Sequence, residues 1–180
     1  MSAAAARPEI RPSHGYASAA DTQARHRLID PLTEREGEAE RILTDEVVRP
    51  ALAAPPGLGK LAAVCEAFFS YVERRVFPGG CFFAATALEM GARPGPVKER
   101  VAAIQSDFTA LLRTFAATAI EQHELPAHED PDGLAFELHA ILLGGDTKFI
   151  LHDDPAVMNL ARRVVHQRLG LDHHGAAGES

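Results

Sequence analysis

Between Val97 and Phe115 the apolar residues stand at Val97, Val101, Ile104, Phe108, Leu111 and Phe115, in steps that alternate four and three. That spacing lines one face of an α-helix and cannot serve a strand, whose faces alternate every second residue. Lys98, Glu99, Arg100, Gln105 and Asp107 fall largely off the line, as a helix with one wet side requires. Pro94 and Pro96 suit a loop and a first helical turn. A run to about Glu121 gives a helix of roughly 40 Å. The same period recurs upstream in Leu58, Leu61, Cys65, Phe68, Val72 and Val76, stopping at Pro78. It returns downstream in Val157, Leu160, Ala161, Val164, Val165 and Leu169. Strand-like alternation is absent throughout, so the expected fold class is all-α, with six helices.

The remaining helices follow from caps and breakers. Thr33 and Glu36 form a capping box, and Ile42, Leu43, Val47 and Val48 then recur at helical spacing until Pro50 bends or ends the helix. CFFAATALEMG, from Cys81 to Gly91, is a short helix so apolar that enclosure on most sides is expected. Leu134 to Leu151 is helical and apolar on more than one face, with Gly144 and Gly145 in its middle. Such a helix needs two partners. Either it is the central helix of one chain or, with Ala140, Gly144 and Gly145 admitting a second backbone, it forms a seam between two copies; the seam is favoured. After the HDDP break, Asp153 or Asp154 is the N-cap of the last helix and Pro155 opens its first turn. Residues 1–32 are expected to be a disordered or rebuilt tail, residues 33–170 the helical domain, and residues 171–180 a disordered tail.

The chain has 180 residues and a formal net charge of −7, the wrong sign for a protein whose main task is neutralising phosphate. No apolar run approaches the ~20 residues of a membrane span, and the N-terminus lacks the apolar stretch of a secretory signal. A cytoplasmic location is expected, and the two cysteines, Cys65 and Cys81, are read as reduced thiols.

FPGGC, Phe77 to Cys81, is the one place where reactive chemistry could hide. A thiol at a helix N-terminus has its pKa lowered by the dipole and the free N–H groups. A catalytic cysteine also needs an oriented base, and none of the nine histidines falls in a nucleophile signature. Cys81 is therefore read as a small buried residue at a helix corner, Cys65 as a core residue, and the chain as no enzyme. EQHELPAHEDPD collects His123, Glu124, His128, Glu129, Asp130 and Asp132, but without the spacing of a metal site. No metal and no cofactor are expected, and no glycine-rich phosphate loop is present. Phe68, Phe69, Phe82, Phe83, Phe108, Phe115 and Phe136 gather with a few polar neighbours on four helices. That pattern suits a small-molecule pocket, and it suits any helical core.

Three segments carry a resemblance: VVRPALAAPPGLGKLAAVCEAFFSYVERRVFPGGCFF, then ALEMGARPGPVKERV, then DPDGLAFELHAILLG. In this order they resemble the C-terminal, effector-binding and dimerisation region of TetR-type (tetracycline-repressor-like) transcriptional regulators, over roughly residues 38–170. The resemblance implies a regulator, a repressor by descent, with a ligand cavity among the middle helices and a two-fold dimer built from the last two long ones. Carried onto this chain, an unknown small apolar ligand would meet Cys65, Phe69, Phe82, Thr86, Phe108, Leu112 and Phe115. The homodimer seam would draw on Glu137, Ala140, Gly144, Thr147, Leu160 and Val164. Such regulators begin with a three-helix DNA-binding domain. The stretch before Thr33 is too short for it, and residues 1–50 hold seven arginines against nine acids. DNA contact is accordingly expected only where an N-terminal helix-turn-helix exists or a partner supplies one. The alternative expectation is an interaction protein that forms mixed dimers with a full-length regulator.

Overall fold

Prolines open three of the six helices among the described residues. The computed structural model describes residue 35 and residues 37–171, and among these residues it contains six helices and no strand. They are α1, residues 37–52; α2, Leu58–Glu73; α3, Phe82–Met90; α4, Pro96–Glu121; α5, Pro131–His152; and α6, Pro155–Leu169. The expected terminal tails and the Thr33–Glu36 capping box lie outside the described residues. In α4, α5 and α6 a proline opens the first turn, where its missing N–H would have found no partner anyway. α5 and α6 share one solution for their starts. Asp130 accepts from the N–H groups of Asp132 and Gly133, and Asp154 accepts from that of Ala156. α5 thus begins at Pro131, three residues before the first apolar residue of its pattern.

Pro50 does not end α1. The helix widens to π geometry over Thr44–Val48, with the Arg49 N–H reaching back to the Thr44 carbonyl, and then continues through Pro50 to Leu52. A proline inside a helix presses its ring on the carbonyl four residues back, and a wider turn just ahead of it makes room. α2 stops at Glu73 rather than at Pro78. Arg75 takes a left-handed φ of 50°, its N–H donating to the Val72 carbonyl while that of Val76 reaches Tyr71. This is a Schellman ending built without glycine, and it explains why Val76 keeps the apolar period although it lies beyond the helix.

α2 is the hub and touches α1, α4, α5 and α6. Leu61, Val64, Phe69, Tyr71 and Val72 are fully enclosed along it. α5 and α6 form an antiparallel hairpin closed by Asp153 and Asp154. Gly145 lets α6 come close, since a Cβ there would stand 3.2 Å from that of Ala161. The N-terminus of α2 is capped from afar by Glu124, whose carboxylate accepts from the Leu58 N–H at 2.7 Å. α3 is less enclosed than its composition suggests. Phe83, Ala84 and Thr86 are buried, but Leu88 is 76% exposed.

Candidate functional site

The FPGGC turn joins α2 to α3 and rests on α5. Gly80 has φ +81°, and a Cβ on it would lie 2.0 Å from a carboxylate oxygen of Asp146, so glycine is required both for conformation and for space. The next N–H, that of Cys81, donates to both oxygens of that carboxylate, at 3.2 and 3.3 Å. Asp146 is buried, and burial pushes its carboxyl up to about 6 against the opposing pull of the Cys81 N–H. Cys81 is the N-cap residue of α3, where the N–H groups of Ala84 and Phe83 do lower its pKa. Burial outweighs them and pushes the thiol up to about 11. Cys65 is pushed up to about 12 for the same reason. Both groups are neutral thiols at neutral pH, and the lowering that the helix end exerts on Cys81 loses to desolvation, in keeping with its reading as a buried corner residue.

Beside this turn lies a small, partly open cavity of about 20 Å³. Phe68, Phe83, Ile104, Phe108 and Leu143 supply apolar wall, while Cys81, Gln105 and His139 bring polar atoms. Gln105 donates to the Phe83 carbonyl at 3.2 Å and so ties α4 to α3. His139 packs its ring edge-on against Phe108, with centroids 5.5 Å apart, and bonds through Nδ1 to the Thr109 hydroxyl at 2.8 Å. Burial holds the His139 pKa below its ordinary value. On the outer side of the same two residues, between α4 and α5, runs an open groove of about 590 Å³. Ala102, Ser106, Arg113 and Phe136 line it together with Gln105 and His139.

Of the seven residues assigned to a ligand by resemblance, Phe108 borders this cavity. Phe69 points to the α6 side of α2, where the Arg162 guanidinium stacks 5.4 Å from its ring centre. Phe82 is half-buried between Phe77 and Phe83. The Thr86 hydroxyl donates within its own helix to the Phe82 carbonyl at 2.8 Å. Cys65 and Leu112 are enclosed in the core, and Phe115 packs beneath the Lys60 ammonium, 5.8 Å from its ring centre. Adjacent residues on a helix diverge by about 100°, so choosing Phe69 over Phe68 selects a different neighbour. Gln105 and His139 were not anticipated, although each directly follows a buried apolar residue, Ile104 and Leu138, at the flank of an apolar row.

All six residues assigned to a dimer seam are exposed. On α5, Phe136, Ala140, Gly144, Thr147 and Leu151 follow one another by four, four, three and four, forming a single outward stripe. On α6, Leu160 and Val164 lie four apart and are likewise exposed. Glu137, beside the α5 stripe, pairs with Arg168 of α6. A Cβ on Gly144 would meet nothing within 4 Å, whereas Gly145 faces inward. Phe136, grouped by sequence with the inner aromatics, is 71% exposed.

The acids of the 122–132 loop serve the fold. Besides the caps made by Glu124 and Asp130, Glu129 forks onto Arg168 at 2.8 and 3.0 Å and Asp132 pairs with Arg113 at 2.7 Å. Among the described residues no three metal-binding side chains converge, and no helix is long and apolar enough to cross a membrane.

Residues 57–165 match the protein family described as Tetracyclin repressor-like, C-terminal domain. Among solved structures, a TetR transcriptional regulator from Chloroflexus aurantiacus J-10-FL superposes with a TM-score of 0.70. The two are 21% identical, over 75% of this chain and 68% of that one, a likeness that bears on the fold. No curated protein sequence matches the chain.

Proposed function

The chain belongs to the tetracycline-repressor-like family of transcriptional regulators, and on that premise we propose that it acts as a dimeric, small-molecule-responsive regulator, a repressor by descent. The observation that carries this reading is the pair of outward stripes on α5 and α6. Phe136, Leu151, Leu160 and Val164 are large apolar side chains that α5 and α6 leave between 37% and 73% exposed. The small surfaces of Ala140 and Gly144 between them permit close approach of a second copy, and the two helices of each protomer would then build a four-helix seam. The effector in this reading occupies the space among α2, α3, α4 and α5, with Phe108 in its wall. Operator contact belongs to a helix-turn-helix, carried by the chain or by a partner.

Sedimentation velocity tests the dimer directly. The wild-type chain is expected to run as a dimer at micromolar concentration. Gly144→Glu, whose side chain has free space in the single chain, is expected to run as a folded monomer. A wild-type chain that stays monomeric, or a Gly144→Glu variant that stays dimeric, would sink the assignment of this face.

A further inference from the structure

The small cavity and the outer groove are neighbours that share two residues, Gln105 on α4 and His139 on α5. At about 20 Å³ the cavity alone has room for a single water-sized sphere, too little for any effector. The groove is roomy but open. We propose that they are two halves of one binding site, partitioned by Gln105 and His139, and that its occupant is an uncharged, largely apolar molecule whose hydroxyl donates to Nε2 of His139. The proposal rests on the regulator reading above and gives that site an entrance and a ligand class.

The polarity of the site follows from its hydrogen bonds. The one proton of the Thr109 hydroxyl goes to the Gln105 carbonyl at 2.8 Å. Toward His139 the same oxygen can then only accept, so Nδ1 carries the ring proton across their 2.8 Å contact. Nε2 is left with its lone pair, and the half-buried ring stays neutral at neutral pH. In the proposed site this lone pair selects an O–H donor. No carboxylate, ammonium or guanidinium lines the inner cavity among the described residues, so nothing there compensates a charged ligand. Arg113 and Asp132, at the rim of the groove, are paired with each other. The partition has a single polar tie to α3, the bond from Gln105 to the Phe83 carbonyl. When Gln105 swings away, Phe68, Phe83 and Phe108 become the floor of a continuous pocket beside His139.

Three probes of one shape separate the possibilities: 4-ethylphenol, ethylbenzene and 4-ethylbenzoate, titrated calorimetrically into the full chain. The phenol is expected to bind about tenfold tighter than ethylbenzene, and the benzoate weakest. His139→Phe should abolish the preference, bringing the phenol and ethylbenzene to equal affinity. The ¹⁵N resonance of His139 Nε2 should move on adding the phenol and not on adding ethylbenzene. Gln105→Ala should speed association by removing the partition. Equal losses for phenol and ethylbenzene in His139→Phe, or tightest binding of the benzoate, would overturn the proposal. A chain that sediments as a dimer yet binds none of the three overturns it while leaving the dimeric reading standing. A monomeric chain that binds the phenol through His139 does the reverse.

Discussion

Asp146 keeps a carboxylate in the core with one backbone N–H as its hydrogen-bond donor, and this ties its titration to folding. Its folded pKa of about 6 stands above the ordinary 3.8, so the native state holds the proton more tightly than the unfolded chain does. The resulting stabilisation is fully present below about pH 4 and is lost as pH rises through about 6. Tyr71 and Cys81, the titratable groups coupled to it, are both pushed upward by burial and stay neutral across that window. Asp146→Asn keeps an acceptor for the Cys81 N–H but cannot ionise. Urea unfolding should find it close to wild type at pH 4 and more stable than wild type at pH 7.5; a difference that does not change with pH would refute the assignment. The turn over this residue was legible in FPGGC, because proline and two glycines announce a sharp corner wherever they stand. Its partner was not. Asp146 lies 65 residues further on and looks, in sequence, like any polar position of a helix.

Helices dock on one another through a few directed contacts, and Arg162 makes the most directed of them. From α6 its guanidinium forks onto Glu73 at 2.6 and 2.8 Å, reaches Glu66 at 2.9 Å, and covers Phe69, fastening α6 to α2. The pairing holds the Glu73 carboxyl below its ordinary value, so its contribution is present above about pH 4.5 and fades at lower pH. Lysine offers one point charge in place of a fork. Arg162→Lys should therefore cost about 2 kcal/mol at pH 7, read from urea midpoints, and the deficit should shrink at pH 3. A loss below a few tenths of a kcal/mol would mean that burial alone holds α6. At this scale the sequence told more about helix existence than about helix ends. Period, caps and breakers together found every helix, yet α2 closes at Arg75 without the glycine that usually marks such an ending. Asp130 and Pro131 start α5 by the same device as Asp154 and Pro155, but their turn carries no apolar residue and so escaped the periodic signal.

For the molecule as a whole, six helices and an all-α class follow from period, caps and breakers, because nothing in the chain alternates as a strand must. The chamber does not follow from it. Whether Phe68 or Phe69 faces α4 is a matter of one residue in phase, and apolar rows two residues wide do not resolve it. The outward stripe on α5 sits between these cases, since a helix apolar on two faces declares a second partner without saying which glycine serves it. Gly144 and Gly145 divide that work, and thermal unfolding can tell them apart. If two chains associate through α5 and α6, the folded state is stabilised by mass action, and a tenfold rise in protein concentration should raise Tm by about 2 °C. Gly144→Glu should abolish that dependence while leaving Tm at the lowest concentrations near the wild-type value. Gly145→Ala should lower Tm at every concentration and preserve the dependence, because its methyl would press on Ala161 within the same chain. If wild-type Tm is independent of concentration, or if the two glycine variants behave alike, the exposed stripe is ordinary surface and not a seam.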